Sequence, residues 1–85
     1  MFLGSLMVKA LLTINIVPDK MNQVVRDIRE IKGVERAHMV FGIYDVITEV
    51  RTQNVKQLRG LILKIRKMPN VYNSLIQIVE QEKKQ

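Results

Sequence analysis

Asp45 and Glu49 stand four residues apart in the stretch FGIYDVITEV, residues 41–50. In an extended chain that spacing puts both carboxylates on one face. A carboxylate pair can share the work of general acid and general base. The plainer alternative is two side chains separately solvated or separately paired. No other catalytic set supports the sharper reading. The chain has no cysteine and one histidine, His38. A thiol nucleophile, a disulfide and a thiolate metal site are therefore excluded. The four glycines are scattered and form no phosphate-cradling loop. We expect no enzyme, no metal and no cofactor. His38, lying in a strand pattern, reads as structural.

The elements that position these residues alternate in type. Residues 8–17, VKALLTINIV, read as a strand with Ala10, Leu12, Ile14 and Ile16 on one face. Lys9, Leu11, Thr13 and Asn15 take the other face. Pro18 and Asp19 open a helix, with Asp19 as its expected N-cap. Met21, Val24, Val25, Ile28 and Ile31 form its apolar stripe. Gly33 ends it in a left-handed conformation. Residues 34–41 and 45–51 are the next two strands, joined by a hairpin turn around Gly42. Asn54 caps a second helix whose stripe is Val55, Leu58, Leu61, Ile62 and Ile65. Residues 71–80 are the last strand.

The order is β-α-β-β-α-β, and it contains a weak repeat. IREIKGV (28–34) matches IRKMPNV (65–71), with Gly33 opposite Asn70. Glycine and asparagine are the residues that best tolerate a left-handed helix exit. Two such halves predict the ferredoxin-like α+β fold: a four-stranded antiparallel sheet with two helices on one face. In the second and fourth strands both alternating sets contain apolar residues. We therefore expect the other sheet face to be covered by a second subunit, as a dimeric α/β assembly.

Eighty-five residues make one domain. We place it at residues 7–80, with an N-terminal extension at 1–6 and a polar C-terminal tail at 81–85. A hydrophobic content of 47% in so short a chain also favours association. The opening MFLGSLMVKALL has no basic leading segment and is interrupted by Lys9, so it is no secretory signal. No apolar run reaches the roughly 18–20 residues of a membrane span. A soluble, cytoplasmic protein is expected. The net charge is +6, and six basic residues with no acidic one lie between Arg51 and Lys67.

FGIYDVITEV resembles the most recognisable segment of the Lrp/AsnC family of transcription regulators: a strand, Gly-x-Tyr-Asp, then an apolar strand ending in Val. That segment belongs to the family's effector-binding RAM module. MVKALLTINIVPDK, IREIKGVERAHMVFG and MPNVYNSLIQIV are similar to its other strands and passages, so the resemblance covers roughly residues 7–80. Two departures stand in the last strand. Asn70 replaces a common glycine, and Ser74 and Ile76 replace two common threonines. Only six residues precede the matching stretch, so the resemblance is to a stand-alone module without the helix-turn-helix domain.

The resemblance implies sheet-to-sheet dimers, rings of dimers, and an amino-acid effector bound between them. Its site residues would be Gly42, Ile43, Tyr44, Asp45 and Ser74. Asp45 would accept the effector's ammonium group, and N–H groups of the bent hairpin would meet its carboxylate. Tyr44 would wall the pocket. Without any ligand, Asp45 reads as a turn cap and Gly42 as a left-handed turn residue. A full-length Lrp/AsnC-like regulator is a further expected partner, through mixed assembly. The alternative function is a ligand-free interaction module. It would use the outward Lys56, Arg59, Lys64 and Lys67 on an acidic partner or, non-specifically, on nucleic acid. No sequence-specific DNA binding is expected of this chain alone, because no recognition helix is legible.

Overall fold

The structure, a computed structural model, describes residues 6–83. Four strands and two helices follow the expected order: β1 Leu6–Ile16, α1 Met21–Arg29, β2 Val34–Met39, β3 Val46–Thr52, α2 Val55–Arg66 and β4 Val71–Lys83. The sheet is antiparallel with strand order β2-β3-β1-β4. β1 lies at its centre because both halves of the chain pair with it. The expected apolar stripes meet there. Val8, Ala10, Leu12, Ile14 and Ile16 of β1 are buried against Val24, Val25 and Ile28 of α1 and Leu58, Leu61 and Ile65 of α2. Met21, Ile31 and Ile62 pack at the margin, whereas Val55, expected in the second stripe, stands at the start of α2 and is 42% exposed. No helix among the described residues is long and apolar enough to cross a membrane.

Both helix exits take the left-handed form that the repeat implied, with φ of 100° at Gly33 and 75° at Asn70. Gly33 also has a packing reason: a Cβ there would stand 3.0 Å from Leu61 Cδ2. Asn54 caps α2, its Oδ1 accepting from Gln57 N at 2.8 Å. Asp19 does not cap α1. Pro18–Lys20 form a 3₁₀ turn instead, which leads into α1 with no side-chain cap. The proline fixes its own φ and starts the turn one step before a cap could act.

The strand ends differ from expectation. β2 stops at Met39 and β3 starts at Val46, leaving a six-residue loop. β4 runs on to Lys83 and pairs with β1 as far as Leu6. Residues 81–83 are thus strand rather than frayed tail, since ladder bonding to β1 satisfies the backbone whatever the side chains. Residues 1–5 and 84–85, the rest of the expected extension and tail, lie outside the described residues.

The mixed apolar pattern of β2 and β4 has a cause within the chain. The register shifts between Val34 and Arg36 on β2. It shifts twice along β4, opposite Lys9/Ala10 and Asn15/Ile16. Each bulge moves the following residues to the other parity. Val34 and Ala37 therefore share the helix-bearing face, as do Val71 and Ile76.

Candidate functional site at the 40–45 loop

The loop 40–45 is closed by Val40 N donating to Asp45 O at 2.9 Å. Asp45 N donates to Ile14 O at 3.0 Å, which joins the loop to the end of β1. The Asp45 carboxylate continues that link. Its Oδ2 accepts from Ile16 N at 3.0 Å and from Asn15 Nδ2 at 3.1 Å. Asn15 is only 7% exposed, so its amide needs partners. Nδ2 also donates to Ile43 O at 2.9 Å, and Oδ1 accepts from Asn73 Nδ2 at 3.1 Å. A polar chain thus runs from β4 through β1 to the loop. The charge at the mouth of β3 has a physical reason: β3 begins only at Val46, so the last N–H of β1 has no strand partner there. A half-buried carboxylate supplies the acceptor.

The structure brings Gly42, Ile43, Tyr44 and Asp45 together with Asn15 and Asn73. Tyr44 is half-buried, whereas Phe41 and Ile43 are 106% and 86% exposed. Gly42 departs from expectation. Among the described residues only Gly33 and Asn70 have positive φ, so Gly42 is not a left-handed turn residue. A six-residue loop spreads its turn over several residues and needs no such position. A Cβ on Gly42 would meet nothing within 4 Å.

Ser74 stands apart from this group. It pairs across β1 with Ile14, and its Oγ accepts from Arg66 Nε at 2.8 Å. Ser74 therefore faces the end of α2 rather than the loop.

The two carboxylates of the opening motif do not act as a pair. Glu49 Oε2 lies 2.7 Å from His38 Nε2, and its Oε1 lies 3.8 Å from Arg36 Nη1. The hydrogen bond to His38 holds the Glu49 carboxyl below its usual range. Partial burial opposes this, and the charges of Arg36, His38 and Lys9 add to the lowering.

Sequence reasoning missed Asn15 and Asn73. Asparagine is depleted in strands. Two of them, one inside an apolar run, were the signal that the end of the sheet carries a polar network.

A family model for the Lrp/AsnC ligand binding domain matches residues 9–85. The chain belongs to this family. Among curated relatives, the proline dehydrogenase transcriptional activator of Rhizobium radiobacter is 36% identical over 59 residues, 68% of this chain. Those residues span 38% of that regulator's length. A hypothetical protein from Pyrococcus horikoshii superposes with a TM-score of 0.83 at 32% identity, over 88% of this chain and 92% of its own. A feast or famine regulatory protein from M. tuberculosis, solved with L-methionine, shares the fold. Its TM-score is 0.72 at 23% identity, over 85% of this chain and 49% of its own. The present chain is thus an Lrp/AsnC ligand-binding domain related to transcription regulators.

Proposed function

We infer that this Lrp/AsnC domain senses a small amino acid at a junction between subunits and uses the outcome to modulate a transcription regulator. The observation that carries the reading is the state of Asp45. Its Oδ2 is held by Ile16 N and Asn15 Nδ2, while Oδ1 accepts no hydrogen bond from the described residues. A fixed carboxylate with one oxygen open is a natural acceptor for an α-ammonium group. Exposed Phe41 and Ile43 flank it and need a second copy to complete a pocket. Gly42 leaves the loop backbone accessible to the ligand's carboxylate. Binding of L-methionine by the M. tuberculosis relative supports the ligand class. Half-buried Tyr44 of the same loop would wall that pocket. Ser74 joins the site only if it comes from the neighbouring subunit. The assigned role includes no catalytic step.

A thermal-shift screen of the twenty amino acids, followed by calorimetric titration, tests this. Asp45→Asn keeps an acceptor for Ile16 N but loses the charge. Affinity should fall about ten- to a hundredfold, the loss of a charge-assisted bond of roughly 1.5–3 kcal/mol. Stability should fall by about 1 kcal/mol, as for other cap residues. Equal affinities in wild type and mutant would remove Asp45 from the site. A wild type that responds to no amino acid would defeat the ligand-sensing role itself.

A further inference from the structure

The net charge of this chain sits in one place. Residues 50–79 contain Arg51, Lys56, Arg59, Lys64, Arg66 and Lys67 and no acidic residue. The remaining residues carry eight basic and eight acidic side chains and balance. The structure places five of the six basic residues in and just beyond α2, and all five are exposed. At 3.6 residues per turn they occupy an arc of about 160° opposite Leu58, Leu61 and Ile65. Seven residues fall in that arc: the five cations, Leu63 and Gly60. Among the described residues the ion pairs gather on β2 and β3, and none reaches these five cations.

Gly60 is the second observation. It lies in the middle of α2, where glycine costs about 1 kcal/mol relative to alanine. No packing reason exists for it: a Cβ there would meet nothing within 4 Å. On one side of the arc Gly60 borders a groove of about 530 Å³, lined by Lys32, Arg51 and Lys64 together with apolar Ile31 and Leu61. A glycine without internal contacts, set among cations, lets a partner approach the helix backbone.

We propose that this face of α2, centred on Gly60, docks the sugar–phosphate backbone of duplex nucleic acid without reading its sequence. The cations from Lys56 to Lys67 span about 16 Å of helix, enough to follow several phosphates. An acidic protein fits less well. Protein interfaces concentrate apolar side chains at their centre, whereas this arc sets five cations and a glycine around one apolar side chain, the 45% exposed Leu63. Nucleic-acid interfaces are more polar and more positive.

The test is fluorescence anisotropy with a labelled duplex of arbitrary sequence, with polyglutamate as competitor. Four phosphate contacts give a log–log salt slope of about −3.6, so affinity should fall roughly a hundredfold between 50 and 200 mM salt. Lys56→Glu with Arg59→Glu should weaken binding more than tenfold at 50 mM salt. Lys20→Glu with Arg26→Glu changes net charge equally and should have a much smaller effect. Gly60→Gln should raise Tm, because the helix improves, yet weaken duplex binding several-fold. That split distinguishes docking from stability. Absence of duplex binding at 50 mM salt overturns the proposal. So do equal losses from the two charge reversals, unchanged binding by Gly60→Gln, and competition by polyglutamate as strong as by duplex.

Discussion

Asp45 and Asn15 each solve a problem created by the other's position. Asn15 is buried at the end of β1 and must place both ends of its amide. Asp45 accepts from that amide and from Ile16 N. The cap role of Asp45 was legible in the sequence as a carboxylate beside a turn. The network was not, because Asn15 and Asn73 are 58 positions apart and meet only through the β1–β4 register. Glu49 gives a residue-scale prediction. Its carboxyl is held below the usual range in the fold, chiefly by His38. A lowered carboxylate value stabilises the fold above the unfolded value and loses that contribution as pH falls through the folded one. Wild type should therefore exceed Glu49→Gln in stability at pH 7. The difference should begin to shrink as pH falls below about 4.5 and vanish below the lower folded value. Urea titrations at pH 7 and pH 3 check this, and a gap that does not narrow between them would mean the charge is not its source.

Among the elements, local chemistry was the most readable. The two stripes (apart from the exposed Val55), the Asn54 cap and both left-handed exits follow from spacing and residue type alone. The bulges were not readable, since a one-residue register shift depends on the partner strand. They made β2 and β4 look apolar on both faces when the helix-bearing face takes most of those residues. The left-handed exits predict an asymmetric pair of mutants. Gly33→Ala puts a Cβ at φ 100° and 3.0 Å from Leu61 Cδ2, and should cost about 1–3 kcal/mol. Asn70→Gly relaxes a φ of 75°, keeps the carbonyl that accepts from Val17 N, and should change stability by less than about 1 kcal/mol. Denaturant unfolding of both separates backbone strain from side-chain loss. Equal costs would show that conformation is not what these positions select.

At the scale of the molecule the open sheet face points to the expected assembly. The bulges remove the original reason for expecting a partner there, but the observed register supplies a better one. Ile47 and Leu75 flank Thr13 on either side, and Leu11 lies one pair along the same face. Leu75 is 47% exposed in the single chain. Around this apolar island stand Lys9, His38, Glu49 and Gln77. An apolar centre with a polar rim is the anatomy of a specific interface, and no helix among the described residues covers that face. Two copies packed sheet to sheet would bury the island on both sides. A stable pair needs about 800 Å² from each partner. The expected state at micromolar concentration is therefore a dimer or a multiple of it by light scattering. Ile47→Lys should shift the protein to monomer while leaving its circular dichroism unchanged, because Ile47 faces away from the helices. A wild type that scatters as a monomer would remove the interface. It would also remove the subunit junction at which the amino acid is proposed to bind, so the oligomer measurement comes before the ligand screen.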